Sequence, residues 1–528
     1  MIKKLLLIFH TLKYVKPIQI KYQIWYRIKN KFLQINWYKK YDQFETNLLK
    51  IENYYSLVLS SNKYIGQNHF EFLNLGFQFE NRINWNFNDY GKLWNYNLQY
   101  FDYLLDDSIL LEDRIDLLKD FSDQLLKNRI KLEPYPTSLR IINSILFISK
   151  NSIENALIQK ALKRQINYLE NNLEYHLLAN HLLENIFTLF ISSFYLKDEI
   201  LFNRTNRLLI EQLQEQILND GGHYECSPMY HSIILSKLFL CIEISSSHKY
   251  FNNDVNELKP IASKMLSWIK AYSFSDGSWA LMNDAALGIA PTTNQLLEVS
   301  KKLNIEVSKI ALKDSGYRKL ENKHFEVLID VGNIIPKFQP GHAHSDMLSF
   351  CLWYKGEQVI VDKGISTYEP NAQRQIERYT LSHNTITINE QNQSEVWKGF
   401  RIGKRAKVEI KKEILNEIIA EHDGYKNFNL IHERKFKIEN NKFIIHDKIK
   451  GKMDQNTKAY SNLNFNYQLN PVLKSNELEF DNINISVTNF DSLFLIDSTI
   501  SNSFNKLFKS KCLHTKFTND NEIQFVFN

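Results

Sequence analysis

The sequence predicts an α+β protein of two halves, helical first and β-rich second. Three observations carry this. Its 528 residues exceed one ordinary domain several-fold, since a domain takes ~150. From about residue 60 to 300, apolar residues recur at three- and four-residue spacing. From about 320 onward the period drops to two, in short runs rich in Val, Ile, Thr, Phe and Tyr.

Residues 1–60 come first and read as a basic amphipathic arm. Pro17 opens a helix in which Ile20, Ile24, Ile28 and Phe32 recur every fourth residue, with Trp25 beside them. The stripe is expected to dock on the body of the protein, with an anionic membrane surface as the alternative for residues 13–41. Residues 61–310 form the helical domain, with helices expected over 109–126, 136–148, 153–177, 182–194, 200–218 and 230–247. The segment 180–194 is apolar nearly all round, so it belongs to an interior layer of a two-layer array. Residues 311–528 form the β domain, with strands expected over 324–330, 348–353, 358–361, 384–388, 406–410, 443–449 and 523–527. Asn-Asn, Gly-Lys and Asp-Asn turns separate them, as in an antiparallel sheet stack.

Composition narrows the function classes. The net charge is +6, but residues 1–41 hold ten Lys or Arg and no acid, leaving 55 basic against 59 acidic residues elsewhere. A mildly acidic body disfavours a nucleic-acid protein. The four cysteines (Cys226, Cys241, Cys351 and Cys512) are widely spaced, which argues against a disulfide framework or a thiolate zinc site. Leu5–Phe9 is too short for a secretory apolar core, and no stretch of ~20 apolar residues occurs. A cytoplasmic protein is expected, with the periplasm as the alternative.

Four clusters carry chemistry. Asn180, His181, Glu184 and Asn185 share neighbouring turns of one apolar helix, where polar groups must find partners or bind something. The string from Asp220 to His231 has Gly221 and Gly222 in a tight loop, Glu225 after it, and Pro228 opening a helix whose first turn holds Tyr230 and His231. In Gly341–Asp346, an extended chain would put His342, His344 and Asp346 on one face, a set that suits a divalent metal. The fourth cluster holds Asp362, Tyr368, Arg374, Arg378 and His383, in which Asp362 and His383 are able to complete a metal site with His344. Taken alone, Arg374 and Arg378 read as a solvated helical face.

In this order the clusters resemble the heparinase II/III family of polysaccharide lyases. The segments GHAHSDMLSF, VDKGISTY, SHNTITIN and QSEVWKGFR carry the resemblance, with the Asn-His and Gly-Gly…Tyr-His elements before them. It implies an incomplete (α/α) toroid packed on a C-terminal antiparallel β-sandwich, with the site in the cleft between them. It also implies β-elimination at uronic acid residues of an acidic polysaccharide.

By this resemblance Asn180 and His181 neutralise the substrate carboxylate, Tyr230 is base or acid, His342 is the partner base, and Glu184 orients the catalytic groups. His231, Glu225, Tyr368 and Arg378 are the substrate-binding candidates. His344, Asp362 and His383 match the family's ligands for a divalent metal, which the resemblance implies is zinc in a structural part, with Asp346 behind them. The arm resembles that of members associated with capsule or O-antigen synthesis, which sets an internally made uronate polymer beside heparin or heparan sulfate as the substrate. A lyase-fold protein that only binds polysaccharide is the second reading, and a metal-dependent hydrolase the third. The basic stretch 395–407 reads either as a wall of the substrate path or as a solvated strand face.

Overall fold

The structure is a computed structural model that describes residues 2–29, 48–51, 63–248, 251, 257–480 and 482–527. Two short helices, α1 (Ile2–Leu12) and α2 (Pro17–Ile28), form the start of the arm. Residues 30–41, with Phe32 and the arm's last four basic residues except Lys29, lie outside the described residues. The helical domain follows as α3 (Lys92–Tyr100), α4 (Leu111–Leu126), α5 (Pro134–Lys150), α6 (Ala156–Glu170), α7 (Ala179–Leu196), α8 (Glu199–Gln216), α9 (Pro228–Ser247), α10 (Leu258–Tyr272) and α11 (Thr293–Leu303).

α7 is the inner helix. Of its 18 residues 16 are buried, and it packs against α5, α6, α8 and α9. An all-round apolar helix has no solvent face to offer, so it takes the interior position. Truncating a fully buried side chain such as Phe187 costs about 3–5 kcal/mol.

Residues 63–78, expected to be helical, instead form a three-stranded antiparallel meander: Lys63–Gly66, His69–Phe72 and Leu75–Gln78. Each turn has two residues at positive φ, Gln67 and Asn68 in the first and Leu73 and Asn74 in the second. Such turns match the twist of tight hairpins. Four-residue strands are too short for their alternation to stand out.

After α11 the chain turns to sheet. Tyr317–Glu321, Phe325–Asp330, Phe350–Tyr354 and Glu357–Ile360 form one antiparallel layer. The largest sheet among the described residues has eight strands, centred on Ile431–Glu439, Lys442–Lys450 and Asp520–Phe527. Phe325 and Phe350 of the first layer meet Phe436, Phe443, Phe525 and Phe527 of the second in one core. Two apolar faces closed on each other make a sandwich. Ile386–Ile388 and Ala459–Asn464 belong to a further antiparallel sheet with Phe508–Phe517 and Ser492–Ile500. Among the described residues of the β half one α-helix, α12 (Ala372–Glu377), interrupts the strands. All four cysteines are buried and unpaired.

Two expectations change here. The segment 341–346 is an irregular loop rather than a strand. And the arm presents its stripe outward: Ile20, Ile24 and Ile28 are 50%, 53% and 42% exposed, while Gln19 on the opposite side is buried. The polar-aromatic side of α2 finds hydrogen-bonding partners on the toroid that the stripe cannot use. Gln19 Nε2 donates to the Leu177 carbonyl, the Tyr26 hydroxyl donates to the Leu173 carbonyl, and Tyr22 stacks on Tyr175.

Candidate active site

A cleft of about 730 Å³ lies between the helical domain and the loops of the β domain. Asn180, His181, Tyr230, His342 and Tyr368 line it, with Tyr96, Tyr135 and Phe400 as aromatic walls. Of the basic stretch 395–407 only Phe400 lines the cleft; the lysines on its wall are Lys92 and Lys237.

Two helix starts bring the polar groups in. Leu178 and Ala179, both at positive φ, make a sharp turn that sets Asn180 and His181 in the first turn of α7. For leucine that conformation is strained, and such strain persists only where the surroundings impose it. Ahead of α9, Gly221 has φ +93°, and a Cβ there would lie 2.3 Å from the Lys264 carbonyl oxygen, so only glycine fits. Ser227 then caps α9, accepting from the Tyr230 amide and donating its hydroxyl to the Asp284 carbonyl at 2.6 Å. The loop between α10 and α11 that carries Asp284 also supplies Asn283, whose side chain accepts from the His344 amide.

Asp284, which no sequence signal singled out, is the hub. Its Oδ2 accepts from His342 Nδ1 at 2.8 Å and its Oδ1 from His344 Nε2 at 2.9 Å. Arg374 grips both oxygens, at 2.5 and 2.7 Å. Asp284, His344 and Arg374 are fully buried. Burial alone would raise the Asp284 carboxyl, but the Arg374 guanidinium and the two imidazole hydrogen bonds hold it well below the usual range. An ionised Asp284 makes Nδ1 the protonated nitrogen of His342 and leaves the Nε2 lone pair toward the cleft. That Nε2 sits 3.4 Å from Asn180 Nδ2. The His342 ring stacks on Tyr230, centroids 3.9 Å apart.

Tyr230 contacts the Tyr368 hydroxyl at 3.2 Å, and burial pushes its own hydroxyl pKa up. His181 Nδ1 faces Glu174 Oε1 at 3.1 Å. Burial would lower this imidazole, but Glu174 more than offsets that, so its pKa is raised. Glu174, a second residue without a sequence signal, is itself held by Asn185 Nδ2. Glu184 is fully buried beneath Asn180 with neither carboxylate oxygen hydrogen-bonded, and burial pushes it up to about 7.

Three residues expected to bind substrate do not line the cleft. His231 is buried, donating from Nε2 to the Met265 carbonyl and accepting the His223 amide at Nδ1; burial holds it near 4. Glu225 is buried and accepts from Asn180 Nδ2 at 2.8 Å, so it positions the residue that reaches the cleft. Arg378, with Arg374, is buried rather than solvated. It donates to the carbonyls of Ala343 and Gly399, bracing the loop between His342 and His344. A guanidinium forks onto several carbonyls at once, which suits it to holding loops.

Behind the cleft, three residues, His344, Asp346 and His383, each offer a donor atom within 4.8 Å of the others. Their buried atoms without a hydrogen-bond partner are His344 Nδ1, Asp346 Oδ2 and His383 Nε2. Asp284 accepts from His344 Nε2, and Asp362 accepts from His383 Nδ1 at 2.7 Å, so the other nitrogen of each ring is the one left without a partner. Burial also keeps His344 neutral, pushing it down to about 4. The residues present fit a divalent cation. Asp346, rather than the expected Asp362, groups with the two imidazoles, while Asp362 accepts from His383 Nδ1.

Residues 139–302 match the family model described as Heparinase II/III N-terminus, and residues 307–524 the model described as Heparinase II/III-like, C-terminal. Together they span well over half of the sequence. The chain belongs to the heparinase II/III family. Asn180, His181, Tyr230 and Asp284 fall within the family's N-terminal match and His342 through His383 within its C-terminal match, so the cleft is assembled from both.

A heparin-sulfate lyase of Bacteroides stercoris is 24% identical over 289 residues, which are 50% of this chain and 41% of that protein. The match thus spans less than half the length of that curated relative. Among solved structures, a heparinase III aligns at TM-score 0.71 and 15% identity, covering 98% of this chain and 93% of its own. A heparan sulfate lyase from Pedobacter heparinus aligns at TM-score 0.56 and 16% identity, covering 87% and 81%. At these identities the likeness is one of fold, toroid followed by sandwich.

Proposed function

We propose that the protein is a polysaccharide lyase that cleaves a uronic-acid-containing polymer by β-elimination. The observation that carries this reading is the pairing of His342 and Tyr230 at the cleft wall. A lone-pair nitrogen held by a buried carboxylate stands against a hydroxyl that keeps its proton.

The chemistry needs both. The C5 hydrogen of a uronate is barely acidic while the adjacent carboxylate keeps its charge. Asn180 Nδ2 and His181, whose raised pKa favours its cationic form, stand at the start of α7, where a helix favours anions. They neutralise that carboxylate. His342 Nε2 removes the C5 proton, the electron pair forms the C4–C5 double bond, and the C4–O bond breaks with Tyr230 donating its proton to the leaving oxygen. Asp284 keeps His342 in the receptive tautomer and stabilises the imidazolium formed. Tyr368 holds the Tyr230 hydroxyl in place.

A divalent cation, zinc by the His/His/Asp donor set, is proposed at His344, Asp346 and His383. When bound, it ties the loop carrying His342 to the sandwich. The three donors are buried and do not line the cleft, which favours this structural part over a hydrolytic one. The body's mild acidity leaves recognition of an acidic polymer to this cleft alone. Incubation with a panel of bacterial uronate polysaccharides tests the reading: products with unsaturated non-reducing ends and new ultraviolet absorbance support it, and only saturated ends overturn it.

A further inference from the structure

α1 and α2 expose a series of large apolar side chains on an arm that holds cations and no acids. Leu5, Phe9 and Leu12 are 59%, 62% and 54% exposed at four- and three-residue spacing, and Ile20, Ile24 and Ile28 follow at four-residue spacing. Trp25 is 45% exposed beside them. Lys4, Lys13, Lys21 and Arg27 are exposed among these.

The arm is nonetheless anchored, and its anchors are its polar residues. Lys16 pairs with Glu215 at 2.5 Å and lies over the Phe338 ring at 4.0 Å. Trp397 Nε1 donates to the Thr11 hydroxyl, and Arg405 lies over the Tyr14 ring at 4.1 Å. Polar groups turned in and isoleucines turned out reverse the ordinary orientation of an amphipathic helix.

We infer that this outward face of α1 and α2 docks on an anionic phospholipid surface. Aliphatic residues and a tryptophan immerse at the headgroup boundary, while lysines and arginine meet the lipid charge. The charge pattern selects this occupant over a second copy of the chain. A two-fold contact between like faces would set two acid-free basic arms against each other. Docking there would hold the cleft at the membrane without a spanning segment, and no described helix is long and apolar enough to cross one.

The full-length protein is sedimented with vesicles of phosphatidylcholine alone or mixed with phosphatidylglycerol. Binding is expected only to the mixed vesicles and is expected to weaken as salt rises. A Lys13→Gln/Lys21→Gln/Arg27→Gln variant should bind roughly 100-fold more weakly. An Ile20→Ser/Ile24→Ser/Trp25→Ser variant should lose roughly 100-fold or more. Both should keep the parent melting temperature and its rate on soluble polymer, since these side chains are exposed and outside the cleft. Absence of binding to either vesicle, equal binding to both, unchanged binding by the Ser variant, or a dimer in free solution that the Ser variant dissociates would each overturn the inference.

Discussion

Asp284 accepts a hydrogen bond from His342 Nδ1 at 2.8 Å, and that bond decides which nitrogen of His342 faces the cleft. The other Asp284 oxygen does the same for His344, so one carboxylate sets the tautomers of the proposed base and of a proposed metal ligand.

Asp284→Asn tests the first of these roles. An amide has only one acceptor oxygen for two imidazoles, and its NH2 faces the Arg374 guanidinium. Turnover is expected to fall at least ~100-fold with KM changing much less, because the substrate still meets Asn180 and His181. Steady-state rates on any polymer that the parent enzyme cleaves check this; a variant within a few-fold of the parent would refute the role.

Arg374→Met removes the countercharge and leaves Asp284 buried without it. Breaking a buried pair from one side costs about 3–5 kcal/mol. Denaturant unfolding is expected to register a loss of that size. A loss under 1 kcal/mol would mean that the pair stabilises nothing.

Glu184 gives a pH signature of stability. Its ordinary value of 4.5 is raised to about 7 in the fold, so between these values the native state binds more protons than the unfolded chain. Stability therefore falls as pH rises through this window, by at most ~3 kcal/mol from this group. Glu184→Gln should flatten that slope and gain melting temperature at pH 8 but not at pH 4. Parallel melting curves for parent and variant across the range would contradict it.

Two aspartates differ in their part at the proposed metal site. Asp346→Asn removes a proposed ligand and should abolish retention of a stoichiometric divalent ion through gel filtration. Asp362→Asn disturbs only the orientation of His383 and should weaken affinity 10–100-fold. Elemental analysis and competition with a chelator give both numbers; the reverse ranking would restore Asp362 as the ligand.

Much of the fold was legible because period and burial go together. α7 is apolar all round and is the buried helix, and the change of period after about 300 marks the passage from helices to sheets. The meander at 63–78 was hidden because four-residue strands carry almost no period. At the site, Asn180, His181, Tyr230, His342 and Tyr368 were readable and do meet at the cleft. Asp284 was not, because it is one carboxylate in an irregular loop, and its importance lies in partners 58 to 90 residues away in sequence. Arg378 and His231 were misplaced for a related reason: helical spacing gives a residue's neighbours on its own element, not which side another element covers. The arm's stripe faces outward because Tyr26 and Gln19 of α2 donate to loop carbonyls on the toroid while Tyr22 stacks on Tyr175, a preference that apolar periodicity does not encode.

Proton transfer by His342 and Tyr230 leaves its mark on the ends of the cleaved polymer. Parent, Tyr230→Phe and His342→Ala proteins are incubated with a uronate polysaccharide that the parent cleaves, and the ends are identified by mass and ultraviolet absorbance. Unsaturated uronate ends from the parent, none from Tyr230→Phe and a sharp reduction with His342→Ala are expected. Saturated ends from the parent, or an unchanged yield of unsaturated ends from either variant, would rule out proton transfer by this pair.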